Sequence, residues 1–324
     1  MHRLLLALGV GVLAAAEYGF AQQPAPLVKS TSTFVEVPAL VRSASGEPVM
    51  DLAGSQFRIF DNGIPQKVVM ESAQNLPIAL LILVQTGGAA REAVASFADL
   101  PRLLPQTVGG TEHELMLVTF DSKVEEIWHF PPRADGVIYA LTHPQAGDDG
   151  AAIRDAVSFG VRQLQSEPGR FRRVVLLISQ RNDAGSKTSE KELLKQLGTA
   201  STVIYNLQFP AAGSHKRKKL RRAKHRSAAP STDLQSVLDA MDADTGGEIA
   251  AMTGGECDGF NDQRSFNSQL LSIIQAIHDS YQLGFQPSDH RGGFHSIRVE
   301  LKSAQGHERV TARGAYWVDS TAAK

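Results

Sequence analysis

The sequence predicts an α/β fold, a doubly wound and mostly parallel sheet with helices on both faces, inserted between N- and C-terminal β-strands. Residues 78–84 form an unbroken apolar run of strand length, which is typical of a central parallel strand covered on both faces. From that run onward, strand and helix patterns alternate, as they do in βαβ units. On either side of this region, short segments alternate apolar and polar residues, which favours half-buried strands of a small β-domain.

The composition is that of an ordinary globular protein, with 42% hydrophobic and 21% charged residues in 324. A chain of this length exceeds the usual size of one domain, so one large and one small domain are expected. The net charge of −1 gives the whole molecule no bias toward nucleic acid or membrane. The single cysteine, Cys257, excludes an internal disulfide. We expect its thiol to be buried and inert, with a reactive thiol as the alternative.

Residues 1–21 are typical of a secretory signal peptide. His2 and Arg3 precede an apolar stretch at residues 4–16, and small residues at 19 and 21 suit a cleavage site. The stretch is shorter than the ~20 residues that span a bilayer, although an uncleaved anchor remains the alternative. The sequence therefore predicts a secreted or periplasmic protein, with residues 22–33 as a linker.

The predicted β-domain has two parts, residues 34–75 and residues 281–318. In the first, residues 57–60 alternate, Asp61-Asn62-Gly63 favours a hairpin turn, and residues 66–71 return as the next strand. In the second, residues 297–301 alternate in the same way. We expect the two parts to share a sheet, because isolated hairpins are barely stable in water.

Residues 76–280 carry the predicted α/β domain. Apolar positions at i, i+3, i+4 and i+7 predict helices over 153–164 and 266–277, and Ser189 with Glu192 predicts a capped helix start. Residues 234–252 are predicted to be helical, interrupted at Gly246-Gly247. A first helix is predicted around residues 94–98, interrupted at Pro101. Further strands are predicted at residues 115–120, 124–130, 174–179 and 203–209, with the segment 124–130 antiparallel to its neighbour.

Several local motifs occur in an order known from one family. They are the turn at residues 46–52, Thr253-Gly254-Gly255, Tyr281-Gln282-Leu283-Gly284-Phe285 and Arg313-Gly314-Ala315-Tyr316-Trp317. Over about residues 34–318 the chain resembles secreted bacterial VWFA-related domain proteins of acidobacterial type, which have a von Willebrand factor A (VWA)-like fold. The resemblance implies a metal-ion-dependent adhesion site in three loops that follow strand ends.

At that site the sequence departs from the family. The family reads Asp-x-Ser-x-Ser after the first strand, with a Thr in the second loop and an Asp in the third. The matching positions here are Gln85, Gly87, Ala89, Ala151 and Gln180. Because Mg²⁺ demands octahedral oxygen ligands, we predict a degenerate site with no metal and no cofactor, and Arg181 adds a repelling charge. Two alternatives stay open, a relocated site that uses Thr86, Asp148, Asp149 and Asp183, and an anion held by the N–H groups of residues 86–88.

Without a metal, recognition has to use the loops themselves. The predicted partner-binding residues are Gln85, Thr86, Gly87, Asp148, Asp149, Arg181 and Asp183. The predicted function is therefore a non-catalytic, extracytoplasmic protein-interaction or scaffold protein with an unknown protein partner. An enzyme is not expected, because the sequence lacks the Gly-x-Ser-x-Gly, His-Glu-x-x-His and phosphate-loop motifs. A hydrolase with an unrecognised site and a metal role for His290 and His295 are weaker alternatives.

A basic insertion at residues 211–231 supports a second hypothesis. Its cations are Lys216, Arg217, Lys218, Lys219, Arg221, Arg222, Lys224 and Arg226, and no acid lies among them. Removing these eight charges from the net charge of −1 leaves −9 on the rest of the chain. The segment 215–226 could bind a polyanion or an anionic membrane surface, or it could be a solvated loop without function. Nucleic acid is not expected, because it is a poor partner outside the cytoplasm. The lack of an interleaved aromatic residue also argues against binding of a single strand.

Overall fold

The computed structural model describes residues 34–71, 76–97, 99–100, 102–103, 113–128, 139, 147–169, 171–210, 233–302 and 308–319. In chain order the strands are β1 (Val35–Arg42), β2 (Phe57–Asp61), β3 (Ile64–Gln66), β4 (Val69–Glu71), β5 (Ile78–Gln85), β6 (His113–Phe120), β7 (Val124–Trp128), β8 (Arg172–Ser179), β9 (Thr202–Gln208), β10 (Cys257–Gly259), β11 (Tyr281–Phe285), β12 (Gly293–Leu301), β13 (Arg309–Ala312) and β14 (Ala315–Val318). The α-helices are α1 (Ala90–Ala93), α2 (Ile153–Gln165), α3 (Glu190–Thr199), α4 (Leu234–Ala243), α5 (Thr245–Thr253) and α6 (Gln263–Asp279). Short 3-10 helices lie at Gly54–Gln56 and Val94–Phe97.

The larger sheet has the strand order β10-β9-β8-β5-β6-β7. Its strands are parallel except for β7, which pairs antiparallel with β6 as the sequence predicts. Strand β5 lies between β6 and β8, and all eight of its residues are buried. The prediction of a central parallel strand from its apolar run is therefore confirmed. The carboxyl ends of β5, β6, β8 and β9 meet at one edge, where the candidate site lies.

Helices cover both faces of this sheet. Alternate residues of β5 belong to two separate cores: Leu80 and Ile82 pack in the core that contains α6, and Leu81 and Leu83 in the core that contains α2 and α3. The predicted apolar stripe of α2 is buried at every position, as is that of α6. The arrangement is the doubly wound, VWA-like fold that the sequence predicts.

The remaining strands form a sandwich of two four-stranded sheets, ordered β13-β1-β11-β4 and β14-β12-β2-β3. N-terminal strands pair with C-terminal strands in both sheets, with Val35 opposite Phe285 in one and Ile59 opposite Val299 in the other. One core lies between the sheets, and it includes Val37, Phe57, Leu283, Ile297 and Tyr316. The α/β region is thus inserted into a β-domain, and the predicted sheet sharing is confirmed.

The strand predicted over residues 66–71 is wrong as a single element. Strand β3 ends at Gln66 as the second arm of the hairpin with β2, whose turn places Asn62 and Gly63 at positive φ. The chain then crosses at residues 67–68 to the other sheet, where β4 pairs with β11. One continuous strand cannot belong to both sheets of a sandwich, and the alternation of residues does not reveal the crossing.

The helix interruption predicted at Gly246-Gly247 lies instead at Asp244. This residue ends α4 and begins α5, and its carboxylate accepts a hydrogen bond from the Gly247 N–H at 2.9 Å. The two glycines are in the first turn of α5. A Cβ on Gly246 would lie 2.0 Å from the Asn206 side-chain nitrogen, so close packing against β9 explains the glycine.

Candidate functional site

Three loops that the sequence predicts to converge do meet at the carboxyl edge of the large sheet. They are residues 85–90 after β5, residues 147–152 before α2 and residues 180–186 after β8. The Gly88 N–H donates to the Asp148 carbonyl at 2.8 Å, and Ala151 and Ala184 exchange two backbone hydrogen bonds of 3.0 and 2.8 Å. We call these segments the carboxyl-edge loops. Their backbones are bonded to one another, so the loops form one layer over the strand ends.

Two glutamines stand at the positions where the resemblance implies liganding aspartates, and they bind each other. The Gln85 Oε1 accepts a hydrogen bond from the Gln180 backbone N–H at 2.9 Å, and its Nε2 donates to the Gln180 Oε1 at 3.2 Å and to the Gly87 carbonyl at 2.9 Å. The Gln180 Nε2 in turn donates to the Asn182 carbonyl at 2.9 Å. Gln85 is fully buried. Both polar atoms of this buried side chain are therefore satisfied within the protein, without an ion.

The positions of the family's hydroxyl ligands are closed by packing. A Cβ on Gly87 would lie 2.5 Å from the Gly150 carbonyl oxygen, 2.6 Å from the Asp121 Cβ and 2.8 Å from the Asp148 carbonyl oxygen, so a serine does not fit there. Ala89 and Ala151 are buried, and Ala89 belongs to the hydrophobic core that contains α6. At position 87, therefore, the loops leave no room for the side chain of a hydroxyl ligand.

A fourth loop, residues 121–123 after β6, joins the layer and was not predicted. The buried Asp121 accepts hydrogen bonds from the backbone N–H groups of Lys123 and Asp148 at 3.2 and 3.0 Å. Asp148 accepts from the Ser122 hydroxyl, from the Ser122 N–H at 3.1 Å and from the Gly150 N–H at 2.7 Å. The hydrogen bond from the Ser122 hydroxyl, followed by that from Gly150, lowers the pKa of Asp148. The sequence could have indicated this loop, because Asp121 directly follows the strand predicted at residues 115–120.

Asp183 is a structural residue of the third loop. Its carboxylate accepts from the Arg154 N–H at 2.9 Å and from the Ser186 hydroxyl at 2.6 Å, and it lies 3.4 Å from the Arg154 guanidinium. The same guanidinium contacts Glu190 at the start of α3. These bonds tie the third loop to the first turns of α2 and α3.

The donor set does not fit a divalent cation. The carboxylates of Asp121, Asp148 and Asp183 point their oxygens at N–H and O–H donors of the protein, and the two glutamine amides point at each other. Within the described residues, no three His, Cys, Asp or Glu side chains are grouped so that they could hold a metal. The relocated metal site therefore finds no support in these contacts. For the alternative of an anion at residues 86–88, two of the three N–H groups are already engaged, since those of Thr86 and Gly88 bind the carbonyls of Phe120 and Asp148.

Only some of the predicted partner-binding residues reach the surface. Gln85, Thr86 and Gly87 are buried within the carboxyl-edge loops. The prediction that they contact a partner directly is therefore wrong for these three residues. Asp148, Asp149, Arg181 and Asn182 are exposed beside the half-buried Gly88, and these five residues are called the loop surface below. Its charges lie next to partners: Asp149 is 3.2 Å from the Arg91 guanidinium, and Arg181 is 3.1 Å from Asp244.

The cysteine and histidine residues that the sequence suggests as possible reactive or metal-binding groups lie outside the carboxyl-edge loops. Cys257 is partly buried, and burial raises the pKa of its thiol well above the ordinary value. His295 is buried 2.9 Å from Asp61 and 3.1 Å from the Tyr316 hydroxyl, inside the sandwich. His290 lies in the loop before β12. The eight cations between residues 216 and 226, the predicted linker and the predicted signal peptide lie outside the described residues.

In the part of the chain that the structure describes, no helix is both long and apolar enough to cross a membrane.

No protein-family model and no curated protein matches the sequence. Solved structures similar to this chain include an aerotolerance-related membrane protein of Bacteroides fragilis with multiple mutations to serine, at 14% identity and a TM-score of 0.38, covering 62% of this chain and 98% of that one. The conserved hypothetical protein BatB of Bacteroides thetaiotaomicron has 14% identity and a TM-score of 0.38, with 62% and 97% covered. The PilB minor pilin of Streptococcus sanguinis has 10% identity and a TM-score of 0.40, with 64% and 63% covered. Identities and TM-scores this low support no inference about what this chain binds.

Proposed function

We propose that this chain is an extracytoplasmic, non-catalytic protein-interaction module that recognises its partner through the loop surface without a metal ion. The observation that carries the proposal is the hydrogen-bonded pair of Gln85 and Gln180 in the place of two metal-binding carboxylates. A neutral pair needs no cation to offset buried charge, so the loops can hold their shape in the ion-free protein.

The contacts of the acidic residues favour binding over catalysis. A hydrolytic site needs a nucleophile within hydrogen-bond reach of a base, and both need room beside a substrate. Here Asp121 and Asp183 are engaged by backbone N–H groups, and Asp148 is engaged by Ser122. The hydroxyl of Ser122 therefore faces a carboxylate that is itself held in a turn, and this geometry is typical of loop stabilisation.

Metal independence is tested by thermal unfolding with saturating Mg²⁺, Mn²⁺ or Ca²⁺ and with a chelator. A ligand at a hundredfold its dissociation constant stabilises the folded state by about 2.7 kcal/mol, which a thermal scan detects readily. We expect the same unfolding temperature in every condition. A clear rise with any of the three ions contradicts the proposal.

The loop surface is tested by capture of a partner from the secreted or periplasmic fraction of the cells that produce the protein. Asp149→Lys together with Arg181→Glu reverses two exposed charges of the loop surface, and we expect it to abolish capture. The control is Gln165→Lys at the exposed last residue of α2, at the opposite end of the sheet. Capture that survives the double substitution, or that a chelator abolishes, overturns this assignment.

The second candidate function is binding of a polyanion or an anionic membrane surface through the segment 215–226, favoured by its eight cations and lack of acids. Such binding depends on screened charges and weakens steeply between low and physiological ionic strength. Deletion of residues 216–226 should abolish it and leave capture by the loop surface unchanged. Equal binding at both ionic strengths argues against this role.

A further inference from the structure

A concave groove of about 630 Å³ lies on the β-sandwich, where β2, β3 and the end of β12 meet. None of its lining residues belongs to the carboxyl-edge loops. Its lining combines the apolar or aromatic Phe60, Pro65 and Val68 with the cations Arg58, Lys67 and Lys302. A volume of this size accommodates a short peptide or a small ligand.

All charged side chains that line the groove are positive. Arg58, Lys67 and Lys302 are exposed, and no Asp or Glu lines the groove. Within the described residues, none of the three forms an ion pair. Glu300 stands opposite Arg58 in the pairing of β12 with β2, but its carboxylate contacts the guanidinium of Arg298. Three cations that converge without a counter-charge favour an anionic ligand.

The edge strand beside the groove is unsuited to pairing with another strand. Proline at position 65 has no N–H to donate, and the Gln66 side chain binds the Ile64 carbonyl at 3.2 Å and the Ser288 hydroxyl at 2.9 Å. Binding in the groove therefore depends on side chains rather than on an added strand. The Arg298 guanidinium covers one face of the Phe60 ring at 4.3 Å, which hinders stacking of a sugar there.

We propose that this groove is a second binding site, which takes an acidic peptide segment of a partner protein. The carboxylates of the segment would pair with Arg58, Lys67 and Lys302, and its apolar side chains would contact Pro65 and Val68. A flat membrane surface does not enter a concave groove, whereas a single extended chain does. The groove shares no lining residue with the loop surface or with the segment 215–226.

The test uses fluorescence anisotropy of a labelled peptide that alternates Glu and Leu, titrated with the full chain. We expect the combined substitutions Arg58→Gln, Lys67→Gln and Lys302→Gln to weaken binding at least about tenfold, equivalent to about 1.4 kcal/mol. A peptide in which Gln replaces each Glu should not bind. Because the three side chains are exposed, thermal unfolding of the variant should match that of the wild type, which shows that it is folded.

Two controls separate the groove from other basic surfaces. Deletion of residues 216–226 should leave peptide binding intact, and so should Lys191→Gln on the exposed surface of α3. Vesicles with anionic phospholipid and a sulfated polysaccharide are titrated in parallel. The proposal is overturned if the deletion, rather than the groove substitutions, abolishes peptide binding. It is also overturned if vesicles or the polysaccharide bind through these cations and the peptide does not.

Discussion

Gln85 has no exposed surface, yet its amide oxygen and nitrogen both have partners in the carboxyl-edge loops. Burial of an amide without partners costs on the order of 1–3 kcal/mol, and an isolated carboxylate costs considerably more. An aspartate in place of Gln85 would lose the Nε2 donor and put a carboxylate oxygen near the Gln180 Oε1 that now accepts from it. The side chains of Gln85 and Gln180 are therefore held by hydrogen bonds within the protein, with no buried charge between them.

Gly87 should be the least tolerant position of the candidate site. We predict that Gly87→Ala lowers the free energy of unfolding by about 1–3 kcal/mol, because the added methyl group would overlap the Gly150 carbonyl and the Asp121 side chain. The matched control is Gly169→Ala, where no heavy atom lies within 4 Å of the added Cβ. Urea unfolding of both variants checks this, and equal stabilities would show that the loops rearrange freely.

Glu248 should make stability depend on pH near neutrality. Burial, with a smaller contribution from the nearby Asp244, raises the pKa of Glu248 from 4.5 to about 7. The folded state therefore holds this proton more tightly than the unfolded state does, and the free energy of unfolding falls as pH rises from 4.5 to 7. We predict that Glu248→Gln stabilises the protein above pH 7, by on the order of 2–3 kcal/mol, and changes little below pH 4.5.

The measurement is the difference in urea unfolding between Glu248→Gln and the wild type across this pH range. Taking the difference removes contributions from other carboxylates. The exposed Glu47→Gln serves as the control, and its difference from the wild type should be small. A Glu248→Gln variant with no gain above pH 7 would mean that the carboxylate is well solvated in the folded protein.

The residues of the candidate site were only partly predictable. The departures from the metal-binding pattern at Gln85, Gly87 and Gln180 are what the resemblance to VWFA-related proteins implies, and the structure places all three residues in the converging loops. The bond between Gln85 and Gln180 was not predictable, because it joins positions 95 residues apart. The role of Asp121 in the site was not predicted, because no ligand motif contains this residue. Its position directly after β6 is nevertheless comparable with that of Gln85 at the end of β5.

At the scale of elements, two arginines bind the ends of helices, the partly buried Arg172 and the buried Arg313. Arg172 donates to the Ile277 carbonyl at the end of α6 at 2.7 Å. Arg313 donates to the carbonyls of Leu197 and Gly198 at the end of α3, at 3.2 and 2.7 Å, and to that of Ala315 at 2.9 Å. The last carbonyls of a helix lack partners within it and carry partial negative charge, so a guanidinium suits them. The terminal motif that begins at Arg313 thus fixes α3 to the sandwich.

Arg313→Lys should therefore be costly despite keeping the charge. Burial lowers the pKa of Arg313 to about 10, so the side chain stays charged at neutral pH. A lysine ammonium cannot span carbonyls on both sides of the planar guanidinium, and we predict a loss of about 2–3 kcal/mol in the free energy of unfolding. Arg298→Lys, on the exposed face of β12, should cost much less. Chemical denaturation compares the two variants, and equal losses would refute the capping role.

Elements with a clear period were predictable, and their junctions were not. The apolar stripe of α2 and the apolar run of β5 are buried along their whole length. The local sequence pattern is therefore enough to predict both elements. The crossing between β3 and β4 and the break at Asp244 depend on contacts with β11 and β9, which are distant in sequence. The glycine pair Gly246-Gly247 suggests a helix break when only the local sequence is considered. In the structure, Gly246 is a glycine because it packs closely against Asn206.

For the molecule as a whole, the junction between sandwich and α/β region contains polar groups that are almost fully buried. Arg42 at the end of β1 binds Glu256, just before β10, through two hydrogen bonds of 3.1 and 2.7 Å. The hydrogen bond to Glu256 raises the pKa of Arg42. Gly198 of α3 lies so close to Trp317 of β14 that a Cβ would approach the Trp317 Cβ to 2.6 Å. Such contacts should couple the two parts in unfolding.

This coupling gives the final prediction. Glu256→Gln leaves the buried Arg42 without its counter-charge, and breaking one partner of a buried ion pair costs about 3–5 kcal/mol. Hydrogen exchange followed by mass spectrometry should show β1 and β8 opening together in the wild type, and β1 opening first in the variant. The double substitution Arg42→Met and Glu256→Leu removes both charges, so it should regain most of the lost stability and restore joint opening. If the single substitution costs less than about 1 kcal/mol, or if β1 and β8 already open separately in the wild type, the junction does not couple them.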